Sequence, residues 1–346
     1  MTQCCRIINI DKQQFLGDNF YGPLGRWLFS NSVDRPLTEL FAIPFDTPIT
    51  RVLEDFPIVE RMRVNALGKL DKFPNEVLAM IFDCFDSVPD AICLGLVNGY
   101  FLALGRKRIH ALIIARSAPW SGDRIICLGK RSREDHFPAG MLSEHEKHML
   151  GMLKLQDDSP AACAADSDDD SNSDWPGLYD YAMEHFEEIF PNTNTQKTKD
   201  MSLLMRNLPA PYSAQSMSEP DYVDGAQPST VWALCNLSKR EYVRGDKTAQ
   251  LTHSATKGPC TDGSVGLGHV LVTRICWSSD SRVGLQYNGD LHQGPWAGDR
   301  IVITTLDRMP IGHWTDISKE ALKLVEAVWD AEFANFKHPD WRKLNW

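Results

Sequence analysis

Pro119-Trp120-Ser121-Gly122-Asp123-Arg124-Ile125 returns later in the chain as Pro295-Trp296-Ala297-Gly298-Asp299-Arg300-Ile301, and this recurrence decides how the sequence is read. Six of the seven positions are identical, which chance does not readily supply. A second pair lies upstream of each. Asn9-Ile10-Asp11-Lys12 follows the apolar run from Arg6, and Asn236-Leu237-Ser238-Lys239 follows the run from Ala233. Phe15-Leu16 and Tyr242-Val243 then close the two segments with an aromatic-apolar pair. Self-similarity of this kind sets the architecture before any single element does.

Spacing turns the recurrence into a domain map. Asn9 to Pro119 covers 110 positions and Asn236 to Pro295 covers 59, an excess of 51 in the first half. The stretch Leu70 to His110 accounts for 41 of these. The reading is therefore α+β: a small mixed module present twice, with a helical segment inserted in the first copy. The first copy occupies residues 1–69 and 116–190, the insert 70–115, a linker 191–228 and the second copy 229–346.

Within the second copy, Val231 to Leu237, Val270 to Trp277 and Arg300 to Thr305 read as strands, being rich in β-branched and aromatic residues. Tyr287-Asn288-Gly289-Asp290 reads as a hairpin turn, because Asn-Gly suits positive φ. From Ser318, Ala321, Leu322, Val325, Val328 and Trp329 recur on one helical face. The matching elements of the first copy are a strand, Asp123 to Leu128, and a helix, Leu178 to Phe190.

The insert has its own pattern. After Pro74, a residue tolerated in a first helical turn, Val77, Leu78, Ile81, Phe82 and Phe85 share a face. Pro89 opens a second helix carrying Ile92, Leu94, Leu96 and Val97. After Asn98-Gly99, Tyr100, Phe101, Leu102 and Leu104 open a third that ends in Arg106-Lys107-Arg108. The run Phe73-Pro74-Asn75-Glu76-Val77-Leu78, with Ile81-Phe82, Cys93-Leu94-Gly95-Leu96 and Tyr100-Phe101, resembles an F-box of the fungal type. Phe73 stands where leucine is usual, and Asn98-Gly99 where a Cys-Lys or Cys-Arg pair is commoner. The resemblance implies a substrate receptor that docks to the adaptor of a cullin-RING (SCF) ubiquitin ligase. The docking residues it implies are Phe73, Pro74, Val77, Leu78, Ile81, Phe82, Leu94, Leu96, Val97 and Phe101, with an apolar face left exposed in the isolated chain.

Bulk properties narrow the classes. The 346 residues are 43% apolar and 24% charged, an ordinary globular composition. A net charge of -10 argues against a nucleic-acid backbone as main partner, since phosphate binding needs clustered cations. No apolar run reaches the length of a membrane span, and the first ten residues lack a signal-peptide pattern. Nine scattered cysteines without a Cys-x-x-Cys pair suggest reduced thiols, hence cytoplasm or nucleus, and no zinc. The acidic stretch 156–174 reads as a solvated loop in which Ser167 and Ser171 could be phosphorylated.

Few residues suggest chemistry. Trp120, Asp123, Arg124, Trp296, Asp299 and Arg300, with His292, could form a ligand pocket with tryptophan walls. The competing and favoured reading is a structural turn in which Asp caps and Arg packs on Trp. His292 and Asp290, with His269 and Asp280, form the one His-Asp grouping in a folded region. His145 and His148, one turn apart, read as a solvated helix face. No phosphate loop, nucleophile elbow or dinucleotide fingerprint occurs, so no cofactor or metal is called for. The alternative to a receptor is a cofactor-independent enzyme, a cyclase or pericyclase of fungal secondary metabolism, in a pocket between the copies.

Overall fold

The computed structural model describes residues 3–43, 70–149, 177–190, 231–334 and 341–343, apart from positions 18–19, 31–32, 71, 98, 134–135 and 282–283. The acidic stretch 156–174, Ser167, Ser171 and the whole 191–228 linker lie outside the described residues, as does 44–69.

The first half contributes β1 (Cys5–Asn9), β2 (Gln14–Leu16), α1 (Leu24–Leu28) and α2 (Asp34–Phe41). Three helices follow, α3 (Asn75–Asp83), α4 (Val88–Gly95) and α5 (Gly99–Ser117), over the segment expected as an insert. The half closes with β3 (Ile125–Gly129), α6 (Leu178–His185) and β4 (Glu187–Ile189). The second half runs β5 (Trp232–Asn236), β6 (Glu241–Arg244), α7 (Gly245–Leu251), the pair β7 (Thr256–Lys257) and β8 (Cys260–Thr261), and α8 (Leu267–Ile275). It ends with β9 (Cys276–Trp277), β10 (Ile301–Thr305), β11 (Thr315–Asp316) and α9 (Ser318–Phe333). The architecture is α+β, built on two mixed sheets.

Sheet A has the order β4-β2-β1-β3-β9 and sheet B the order β10-β5-β6-β11. Read from their outer edges, β4-β2-β1-β3 and β11-β6-β5-β10 have the same senses: parallel, antiparallel, antiparallel. Each sheet is then completed by the other half. Cys276 of β9 pairs with Cys127 of β3, while Ala42, just past α2, bridges Ile303 of β10. α2 and α8 hold equivalent places, since Leu40 O accepts from Trp120 N (2.9 Å) and Arg274 O from Trp296 N (2.8 Å). A single core follows, in which Trp120, Cys127 and Leu37 pack with Trp296, Val270, Ile303 and Trp329. Sharing one apolar interior makes the two halves one stability unit.

Four sequence expectations need correction. The segment expected as strand Val270–Trp277 is helix through Ile275, and all nine residues of α8 are buried. A helix buried on every side need not show one apolar stripe, and the Val, Thr and Ile content of α8 mimics a strand. The Asn288-Gly289 turn is not flanked by strands, so no hairpin forms there. The helix expected over Leu178–Phe190 stops at His185; the chain then extends as β4 along β2, with Gln14 opposite Glu187. Its true counterpart is β11, so α6 and α9 are not equivalent: α6 precedes its edge strand and α9 follows its own. The third helix of the insert continues past Arg106-Lys107-Arg108 to Ser117, because Ile109, Leu112 and Ile113 continue its buried face.

The three-helix unit has a separate core of Leu78, Phe82, Ile92, Tyr100, Phe101 and Ile109. Gly105 lets α5 approach α3, since a Cβ there would fall 2.1 Å from the Phe82 ring. Ser87 caps α4 by accepting from Asp90 N, with Pro89 in the first turn. Arg108 ties α5 back to the end of α3 by donating to Phe85 O through Nη2 (2.6 Å).

Candidate functional site

The two recurrent motifs meet each other. Gly122 N donates to Ile301 O (2.7 Å) and Gly298 N to Ile125 O (2.8 Å); Ile125 N donates to Asp299 O (3.1 Å) and Ile301 N to Asp123 O (3.2 Å). Arg124 and Arg300 face each other across this antiparallel bridge. Every bond has its mirror, as across a two-fold axis.

The rest of each motif is also built twice. Asn9 Nδ2 donates to Asp123 Oδ2 (2.8 Å) and Asn236 Nδ2 to Asp299 Oδ2 (2.7 Å). Asn9 Oδ1 and Asn236 Oδ1 accept from the backbone of Lys12 and Lys239, both at 3.0 Å. The two lysine ammonium groups cap Pro119 O and Pro295 O. Trp120 Nε1 donates to Gln14 Oε1 (2.9 Å) and Trp296 Nε1 to Glu241 Oε2 (2.6 Å). Gln13 and Arg240 both turn the chain at positive φ, as do Gly122 and Gly298. The residue types have a plain logic. Asn caps the turn and holds Asp, Asp holds Lys, and indole N–H meets a side-chain oxygen because the ring is buried.

Asymmetry appears at the axis itself. Asp11 binds both arginines, to Arg124 Nη2 at 2.6 Å and to Arg300 Nη1 at 2.8 Å, whereas its counterpart Ser238 is uncharged. Arg124 also pairs with Glu146 (2.6 Å) and donates to Met141 O (2.7 Å). Burial opposes the Asp11 carboxylate, but hydrogen bonds from Arg124 and the charges of both arginines hold its pKa below the ordinary value. Hydrogen bonds from Arg124 pull Glu146 down to about 2. The segment carrying Glu146 starts with a capping box, Ser143 and Glu146 bonding each other's backbone N–H. Met141 of that segment packs over Gly298, while nothing lies within 4 Å of a Cβ at Gly122.

An open cleft of about 960 Å³ lies along this seam, lined by Arg124, Asp299 and Arg300 among others. Of the expected pocket residues, Trp120 and Trp296 are fully buried and do not line it. Asp123 and His292 do not line the cleft either. The expectation that arginine would pack on tryptophan is also corrected: Arg124 and Arg300 reach Asp11, and Arg274 lies over Trp296 at 5.2 Å. The residues sequence reasoning missed are Asp11, Glu146, Met141 and Trp277. Ser143-x-x-Glu146 was the legible signal for the second of these.

Two members of the expected His-Asp grouping, His269 and Asp280, have other partners. His269 sits inside α8, 3.9 Å from Asp34 of α2, with its Nδ1 accepting from Gly266 N. Burial lowers the His269 pKa and raises that of Asp34, whose carboxylate accepts from Gly268 N (2.7 Å). Asp280 instead pairs with Arg131 at 3.0 Å. His145 and His148 are exposed. Among the described residues no group of three or more His, Cys, Asp or Glu has metal-holding geometry, and no helix is long and apolar enough to cross a membrane.

On the three-helix unit the expected docking residues divide. Leu78, Phe82 and Phe101 are its buried core, and Leu94 and Leu96 are half-buried. Phe73, Pro74, Val77, Ile81 and Val97 are exposed, and Leu70 and Met80 join them. Comparison of the chain with known protein families, characterised proteins and solved structures finds no match.

Proposed function

We propose that this chain is a docking protein, an F-box-type substrate receptor whose three-helix unit binds the adaptor of a cullin-RING ubiquitin ligase. The recurrent module would be its rigid target-bearing body, two copies of one unit joined at the Gly-Asp-Arg-Ile seam. One observation carries the reading. α3 buries Leu78 and Phe82 inward yet leaves Val77, Met80 and Ile81 exposed on its other side, next to Phe73. A helix that already has a core gains nothing for its own stability from a second apolar face, and such a face marks an interaction site. Apolar positions on adjacent turns suit a helix-based contact.

The test is co-purification of the full chain with a fungal ligase adaptor, beside the double variant Val77→Asp, Ile81→Asp. Both positions are exposed, so the variant keeps its core. A stoichiometric complex lost in the variant, at unchanged thermal midpoint, supports the reading. A folded wild type that binds no adaptor overturns it. The enzyme alternative, a cofactor-free cyclase or pericyclase, needs an enclosed apolar pocket. The seam cleft is open and partly cationic, and the tryptophans expected to wall it are inside the core.

A further inference from the structure

The seam cleft is held between residues 138–143 of the first half and 294–300 of the second. Its charged lining is three cations, Arg124, Lys239 and Arg300, against one acid, Asp299, in a chain whose net charge is -10. Asp11 and Glu146 stand behind the arginines, so the seam is balanced in charge, and what it offers an anion is uncommitted hydrogen-bond donors.

The cations are not equally available. Arg124 is spent on Asp11, Glu146 and Met141 O. Arg300 commits only Nη1, to Asp11 and to Gly122 O (2.9 Å), which leaves Nε and Nη2 uncommitted among the described residues. Its side chain is 48% exposed and that of Lys239 45%. Ser238 stands between them and accepts from Arg300 N (3.0 Å), so its own hydroxyl proton remains to be donated. Asp299 is already answered by Asn236 and by Lys239 at 3.2 Å.

An apolar part of the lining is made by Trp277, Pro138, Pro295 and the almost fully buried Met141. The Trp277 ring is fixed by its Nε1 donating to His136 O (3.0 Å). A phosphate would use the cations and leave this apolar part unused; a neutral aromatic would do the reverse.

We propose that the seam cleft is a binding site for a carboxylate carried on a flat apolar body, the carboxylate on Arg300 and the Ser238 hydroxyl and the body against Trp277. Guanidinium and carboxylate form paired charge-assisted bonds, and indole offers a face for stacking. The same chemistry comes from a free aromatic acid or from the C-terminus of a polypeptide ending in an aromatic residue. The site does not rest on the docking reading, because none of its residues belongs to the three-helix unit.

The experiment titrates the full chain with 2-naphthoate and with 2-naphthamide, following the Met141 methyl and Trp277 indole signals by NMR. The acid is expected to shift both signals saturably, with the amide binding at least about tenfold more weakly. Arg300→Lys is expected to weaken the acid by about tenfold, since lysine cannot form the paired bonds. The acid–amide comparison on the wild type decides the matter should the variant fold poorly. A third arm uses a short peptide ending in tryptophan with a free or an amidated C-terminus. Tighter binding of the free-ended peptide than of naphthoate identifies a polypeptide ligand, and equal or weaker binding a free acid. Equal shifts from acid and amide, or no shift of either signal at millimolar ligand, would overturn the proposal.

Discussion

The two halves of the molecule present the same hydrogen bonds to each other, but not the same surroundings. Around Gly298 the seam is covered by Met141, and around Gly122 it is open. On one side of the axis stands Asp11, on the other Ser238. Beyond β3 the first half places α6 against sheet A, whereas the second half returns from β10 to β11 directly and puts its helix after the strand. The lesson is that the reciprocal contacts define the scaffold, and the departures from reciprocity define where a ligand or partner can be told one side from the other.

The comparison is easiest to break in the core. Trp120→Ala and Trp296→Ala should each cost about 3–5 kcal/mol and by similar amounts, since both indoles are fully buried and hydrogen-bonded in one shared interior. Thermal unfolding of the pair checks this; a large difference would mean the halves do not share a core. Glycine should separate the halves instead. Gly298→Ala meets both a positive φ and the Met141 side chain and should cost about 3 kcal/mol, while Gly122→Ala meets only the positive φ and should cost about 1 kcal/mol. Denaturant titration of both reads the ordering.

Asp11→Ser makes the first half resemble the second at the axis, and leaves Arg300 without its carboxylate. A loss of about 2 kcal/mol is expected, with Ser238→Asp in the same background restoring part of it. The smallest effect is on pH. Glu146 has its pKa depressed in the fold, so its contribution is complete above its ordinary value of 4.5 and is lost as pH falls toward about 2. Asp11 is lowered in the same sense. Glu146→Gln should therefore flatten the acid limb of the stability profile over that window, and a limb left unchanged would remove Glu146 from the account.

Much of the scaffold was legible because its determinants are local and repeated. Pro-Trp-x-Gly-Asp-Arg-Ile and Asn-x-x-Lys each encode a turn whose polar groups answer one another, and identical turns have identical spelling. What could not be read depends on contacts distant in the chain. α8 is buried on all sides and its Val, Thr and Ile content reads as a strand, and β4 exists because β2 offers it an edge. The exchange of β9 and Ala42 between the sheets leaves no mark on either sequence. At the candidate site the arginines were found and their partners were not, because Asp11 and Glu146 approach from different segments. On the insert, Val77 and Leu78 are neighbours in sequence, and only the packing of α5 decides which is core and which is exposed.

The central claim is that the two halves are one interlocked body. Producing residues 1–200 and 221–346 separately and together tests it most directly, with size and cooperative unfolding as readouts. The account predicts that neither part alone unfolds cooperatively, and that the two together form a 1:1 complex with the thermal midpoint close to that of the intact chain. A second part that folds alone as a stable monomer would contradict it.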